Sequence, residues 1–258
     1  MAQHTASVAE IRTTSSFATV TFHTSAAGIS SQPLMGDLFV SATELNFGAT
    51  LTIILLEGFR VWEVYDAALT NQNNAPNVRQ FNIVYRHNVI WNCEYSFEYW
   101  NRPESSETFN IRFEHNTCVN AGYGWGHSQR QDPNGRHLMF YFNSARTSEF
   151  YFRYNIFYNA TESFLRMGND WRQGLVMDYN CWCQPKGIFV WLEFLKFRFA
   201  HNQFEDYQRQ TGLDAHSVFA DPKFMDIGKL DFRLAQDSLA RSLSERGVPA
   251  GSSKRLTK

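Results

Sequence analysis

A unit that recurs along the middle of the chain, an asparagine fixed inside each copy, and period-2 alternation on either side of it predict the fold class. The class is all-β: a right-handed parallel β-helix, a solenoid of three-strand coils with a short C-terminal helix and tail. The stretch Phe81 to Asn92 matches Phe109 to Asn120, with Phe, Asn, Ile, His, Asn and Asn in the same places. Further copies run from Phe150 to Asn159 and from Leu175 to Gln184, and a weaker one from Ile53 to Trp62. Taking Gly58, Asn88, Asn116, Asn155 and Asn180 as equivalent, the unit returns every 25–40 residues, roughly, which is a solenoid period. An antiparallel sandwich also has short alternating strands, but it does not explain whole units recurring in one order.

Residues 1–50 are rich in Ser, Thr and Ala and alternate weakly, as at Ala18 to Phe22 and Asp37 to Val40. We read them as degraded or weakly ordered coils. Residues 51–200 carry the coils proper. Each reads as a strand, a bend at Gly or Asn, a second strand, a corner at Asn92, Asn120 or Asn159, and a third strand. Asparagine suits the bend because it tolerates left-handed backbone angles and its amide reaches the asparagine of the next coil, giving a stacked ladder. Inward residues then stack in columns: Ile83, Ile111, Phe150 and Leu175 in one, Tyr85, Phe113, Phe152 and Met177 in another. Residues 201–258 form a cap and tail, with a short helix from Gln203 stopped at Gly212 covering strand edges otherwise left unpaired.

Composition narrows the function classes. A chain 43% hydrophobic and 16% aromatic can fill a large core, and 24 basic against 25 acidic residues give no overall pull toward nucleic acid or an anionic membrane. The apolar run Leu51 to Leu56 is too short to span a bilayer, and the first 30 residues show no export leader. Cys93, Cys118, Cys181 and Cys183 have neither zinc-site spacing nor the density of a disulfide scaffold, so buried free thiols are expected. Nucleophile-elbow, phosphate-loop and dinucleotide signatures are absent.

The coils and the tail together resemble bacterial right-handed parallel β-helix proteins of the pectate-lyase-like superfamily, over roughly residues 50–245. The tail carries much of the likeness: Tyr207 to Ser217, then Ala220-Asp221-Pro222-Lys223-Phe224, then Asp231-Phe232-Arg233-Leu234 and Asp237-Ser238. The resemblance implies the fold, a polysaccharide or oligosaccharide partner, a monomeric chain, and secretion or a periplasmic location despite the missing leader. It does not fix the activity, because lyases, hydrolases and non-catalytic proteins share this scaffold.

In such proteins the groove follows the third strand and the loops after it. Counting from Asn92, Asn120 and Asn159 puts Phe97, Trp125 and Phe164 in one row, Glu98, Gly126 and Leu165 in the next, and Tyr99, His127 and Arg166 in a third. The third row suits β-elimination of a uronate polymer: Arg166 pairs with the carboxylate, His127 or Tyr99 takes the C5 proton, and the other protonates the leaving oxygen. Strand alternation turns the same row inward if the Phe97 row is inward. The loops Asn101 to Glu104, Gln129 to His137 and Gly168 to Arg172 are expected side by side on one rim. There Arg102, Arg130, Arg136, His137 and Arg172 supply positive charge, and Trp100, Trp125 and Trp171 supply faces for sugar rings. The alternative is a solvated turn at Asp132 to Gly135 with ordinary surface arginines.

Two other chemistries are weaker. A glycoside hydrolase on the same fold would use Glu98 with Asp132 or Asp170, but no facing pair is evident. Calcium would draw on Asp132 and Asp170, a thin ligand set, so no cofactor is expected beyond that slight possibility. His87 and His115 mimic a metal pair, yet the repeat itself explains them. The expectation is a polysaccharide lyase for an acidic glycan, with a glycoside hydrolase or a non-catalytic glycan-binding or structural β-helix as rivals.

Overall fold

The computed structural model describes strands at 19–23 and 37–41 and residues 54–64, 66–124, 134–244 and 247–252. Strands β1 (Thr19–His23) and β2 (Asp37–Ser41) come first. The chain then visits three sheets in rotation. Sheet 1 holds β3 (Ile54–Glu57), β6 (Arg79–Arg86), β9 (Glu107–Glu114), β12 (Arg146–Arg153) and β15 (Leu175–Asp178). Sheet 2 holds β4 (Arg60–Trp62), β7 (Val89–Trp91), β10 (Thr117–Ala121), β13 (Ile156–Ala160), β16 (Cys181–Cys183) and β19 (Val218–Phe219). Sheet 3 holds β1, β2, β5 (Ala67–Asn73), β8 (Tyr95–Asn101), β11 (Arg136–Phe140), β14 (Ser163–Met167), β17 (Ile188–Leu192) and β18 (Phe197–Ala200). Neighbours are parallel throughout, except for β1 with β2 and β17 with β18. The chain is all-β with parallel sheets.

The core lies between the three sheets, and the register reproduces both expected columns. Ile83 pairs with Ile111, Ile111 with Phe150 and Phe150 with Leu175, while Tyr85, Phe113, Phe152 and Met177 follow two residues on. All eight are buried. Each large aromatic so removed from water contributes about 2–3 kcal/mol of burial, which is why these positions take Phe, Tyr, Ile and Leu.

The corner after sheet 1 carries the asparagine ladder. Asn88 Nδ2 donates to Asn116 Oδ1 (2.9 Å), Asn116 Nδ2 to Asn155 Oδ1 (3.2 Å) and Asn155 Nδ2 to Asn180 Oδ1 (3.1 Å). Asn180 in turn donates to Asp214 Oδ1 (3.2 Å), so a buried carboxylate ends the ladder. Two details differ from expectation. The left-handed residue is the one before each asparagine, namely His87, His115, Tyr154 and Tyr179, which frees the asparagine amide to turn inward. Gly58 stands at the same corner as His87, not Asn88, because Glu57 pairs with Arg86; Phe59 N then donates to Asn88 Oδ1 (2.9 Å). At the second corner Asn92, Asn120 and Asn159 are themselves left-handed.

Helix α1 (Phe204–Thr211) follows β18, with left-handed Gly212 at its C-cap and Tyr207 buried in the core. Tyr207 Oη donates to Asp214 (2.8 Å), tying the helix to the end of the ladder. The hairpin β20 (Phe224–Asp226) and β21 (Asp231–Leu234) brings Phe232 against Trp91 and Val119 of sheet 2, and Ala240, Leu243 and Ala250 cover Ile156 and Cys181. The four cysteines are free thiols, Cys183 half-buried and the others buried.

Candidate functional site

Sheet 3 presents the face on which the sequence places the site. Asn71, Tyr99, Phe140, Met167 and Leu192 share one register row, and Thr70, Glu98, Met139, Arg166 and Trp191 the adjacent one. Tyr99, Phe140, Met167 and Leu192 belong to the core, so the Glu98 row points outward. The expected row of Tyr99, His127 and Arg166 is therefore not formed. Tyr99 is fully buried, its hydroxyl 2.7 Å from Thr147 Oγ1 and its ring edge-on to Phe150. Arg166 points outward, bidentate on Glu193 (2.6 and 2.8 Å) and 4.3 Å from the Trp191 ring centroid. His127 lies outside the described residues, as do Trp125, Arg130 and Asp132.

Two causes produce the shift. Between Asn120 and the third strand of its repeat stands the connection 122–135, so the strand aligned with β8 and β14 is β11, and Leu138, not Trp125, pairs with Phe97. The corner after Asn159 also holds one more residue than the corner after Asn92, since Ser163 and Tyr95 both align with Arg136; Leu165 thus takes the place expected for Phe164. One residue of slip turns every side chain over. The long connection leaves and returns where Gly122 and Gly135 touch: a Cβ on Gly135 would lie 2.2 Å from Gly122 Cα.

The remaining rim residues divide. Glu98 points outward and is nearly buried, with Oε1 accepting from Gln72 Nε2 (3.2 Å). Trp100 is half-buried on the same face beneath Arg102, whose guanidinium sits 5.7 Å from its ring. Arg136 is 3% exposed, ion-paired with Glu162 and donating to the Asn134 carbonyl (3.0 Å). His137 does not line the rim. It faces inward between Phe157 and Phe164, with Nε2 donating to the carbonyls of Tyr158 (3.3 Å) and Asn159 (3.1 Å) and Nδ1 accepting from Ser96 Oγ (2.9 Å). Burial pushes its pKa down to about 3, so it is neutral. Trp171 is half-buried and packs on the core against Tyr99 and Phe140. Asp170 and Arg172 clasp each other at 2.7 and 2.6 Å, and the guanidinium holds the Asp170 carboxyl below its usual range.

The rim itself has a different membership. Asn101 N donates to Asn143 Oδ1, and Asn143 N donates to Asn169 Oδ1 (2.7 Å), so segments 101–104 and 168–172 flank 141–145; of the expected middle loop, Arg136 and His137 belong to β11 and residues 129–133 lie outside the described residues. Asn73 Nδ2 extends this third-corner column to Asn101 Oδ1 (3.0 Å).

Sequence reasoning missed Tyr95, Tyr141, Glu162, Trp191 and Glu193. Tyr95, Met139 and Ala67 form a small cluster on the outer face, apart from the main core, with Tyr141 packed against it. Burial raises the pKa of both phenols; for Tyr95 the next causes are Tyr141 and Glu94, and for Tyr141 it is Glu98. Both hydroxyls thus stay protonated in a setting of carboxylates, tempered by Arg136. A phenol that keeps its proton beside carboxylates can act as an acid, while the carboxylates act as bases. Among the described residues no group of three His, Cys, Asp or Glu side chains is placed to hold a metal ion, and no helix is long and apolar enough to cross a membrane.

No protein-family model matches this chain, and no solved structure matches it. One stretch is similar to the uncharacterized protein YwoF of Bacillus subtilis (strain 168), 32% identical over 91 residues. Those residues span 33% of this chain and 18% of that protein, so the chain covers less than a fifth of its relative's length.

Proposed function

We propose that this chain is a right-handed parallel β-helix of the pectate-lyase-like kind that cleaves an acidic glycan lying across the outer face of sheet 3. Strands that pass through three parallel sheets in rotation support the solenoid, and parallel crossovers are overwhelmingly right-handed. One observation carries the site: Glu98, Tyr95 and Arg136 point out of the core and are nevertheless at most 4% exposed. Ionisable groups held out of water on an outward face cost stability and are commonest where chemistry is done. Half-buried Trp100 supplies sugar-stacking surface, and the guanidinium groups of Arg166 and Arg198, each 4.3 Å from the Trp191 ring that they sandwich, supply positive charge.

β-elimination on a uronate polymer is the leading reaction. Hydrolysis is the second, favoured by the carboxylates that surround the two phenols. The test is a panel of uronate polymers with and without calcium, read both by ultraviolet absorbance of the unsaturated product and by new reducing ends. Elimination raises both signals; hydrolysis raises reducing ends alone. Polymer binding with neither signal would replace cleavage by a binding role, and absence of binding would remove the glycan reading.

A further inference from the structure

We propose that Tyr141 is the proton donor to the leaving glycosidic oxygen and that Tyr95 is the positioning residue that aims its hydroxyl. The inference rests on the glycan-cleaving reading and adds the acid that either reaction requires.

Tyr141 directly follows β11, and its N–H donates to the Tyr99 carbonyl (3.1 Å), which sets it opposite Trp100 on the outer face. Its ring lies on the Tyr95 and Met139 cluster and is half-buried, so it reaches both protein and solvent, while Tyr95 behind it is 4% exposed. The backbone is held from two sides. Asn143 Nδ2 donates to the Tyr141 carbonyl (2.6 Å), and Gly168 abuts so closely that a Cβ there would lie 2.8 Å from the Tyr141 carbonyl carbon and 2.7 Å from Phe142 N. Glu98 is on the neighbouring strand, opposite Met139, and of all nearby charges its carboxylate acts most strongly on the Tyr141 phenol. A proton-bearing phenol and a carboxylate thus share one outward face.

The step balances within those groups. As the glycosidic C–O bond breaks, its electron pair passes to the oxygen, which takes the Tyr141 proton. Glu98 accepts the proton released in the same event, from the sugar C5 in elimination or from the attacking water in hydrolysis. Water then carries that proton from Glu98 back to the Tyr141 phenolate, restoring both groups.

Tyr141→Phe, Glu98→Gln and Tyr95→Phe test this against the wild type on a cleaved polymer, with binding and thermal melting measured alongside. Tyr141→Phe and Glu98→Gln should lower kcat by about 100-fold or more, with polymer affinity and melting unchanged. For Tyr141→Phe the deficit should shrink on a synthetic substrate with a nitrophenolate leaving group, which needs no proton. Tyr95→Phe should lose less rate and move the alkaline limb of the pH profile upward, because the Tyr95 hydroxyl steadies the Tyr141 phenolate; a packing role would leave that limb in place. A cleaving wild type with unimpaired Tyr141→Phe overturns the assignment alone. A wild type that cleaves nothing removes the cleavage reading, and this role with it.

Discussion

The outer faces of sheet 1 and sheet 3 treat charge in opposite ways. On sheet 1, Glu57, Arg86, Glu114, Arg153 and Asp178 occupy one register row and alternate in sign. Arg86 pairs with Glu57 (3.2 Å), Arg153 with Glu114 (3.0 Å), and His216 meets Asp178 at 2.7 Å at the end of the row. Moving one repeat along the sheet always brings the opposite charge, so the repeat satisfies itself and the groups stay partly in water. On sheet 3 the outward groups Glu98, Tyr95 and Arg136 are nearly buried, the repeat is broken by the 122–135 connection, and phenols sit among carboxylates. Regularity on one face serves stability, and the departure from it on the other is where we place the proposed chemistry.

The regular side should break most severely at its ladder. Asn116 accepts from Asn88 N (3.0 Å) and Asn88 Nδ2 (2.9 Å) and donates to the Tyr85 carbonyl (3.0 Å) and to Asn155. Asn116→Ala takes the side-chain partner from Asn88 N and from the Tyr85 carbonyl, while Asn88 Nδ2 keeps the Leu56 carbonyl (3.2 Å) and Asn155 Oδ1 keeps Asn116 N (2.9 Å); at roughly 1–3 kcal/mol for each of the two groups the cost is about 4 kcal/mol. Chemical denaturation measures it; a loss under about 1 kcal/mol would show that water replaces the amide.

Sheet 3 has its own weak point, buried inside it. His137 is neutral in the folded protein with a pKa of about 3, while in the unfolded chain it titrates in the usual histidine range. The unfolded state therefore binds the proton more readily, and the stability from burying the neutral ring is present above the unfolded pKa and lost as pH falls toward 3. Two pH units below the unfolded pKa the loss amounts to about 3 kcal/mol. His137→Gln, which keeps an acceptor for Ser96 and a donor for the carbonyls, should flatten this part of the stability profile. Parallel profiles for the two proteins would place the acid sensitivity elsewhere.

The same contrast decides what was legible in the sequence. Sheet 1 and the first corner follow a strict repeat, so the columns through Ile83 and Tyr85 and the ladder through Asn88 could be read by alignment of the units. Sheet 3 starts after corners of unequal length, and counting from the asparagines carried a one-residue error that put Arg166 in the row of Tyr99, although Tyr99 points into the core and Arg166 lies in the outward row of Glu98. Tyr141 and Tyr95 become neighbours only once β11 is known to begin at Arg136, beyond a long connection whose length no periodicity announces. The glycines at 122 and 135 were the available signal, since they bracket the insertion where its ends meet.

The smallest effect should come from the sheet 1 charge row, and it sharpens the comparison. Arg153 has side-chain exposure of 25%, pairs with Glu114, and lies 5.3 and 5.5 Å from the rings of Tyr151 and Tyr154. A part-exposed ion pair is worth about 0.2–1 kcal/mol, and the carboxylates Glu114 and Asp178 left facing each other across its strand would be about 10 Å apart, close to the screening length at ordinary salt. Arg153→Met, which keeps a stem over the tyrosines, should therefore cost no more than about 1 kcal/mol, a cost that fades as salt is added and comes with unchanged turnover. A salt-insensitive loss of several times that size would show the row to be buried ionic structure like that of sheet 3, and the division between a structural face and a chemical one would have to be drawn on other grounds.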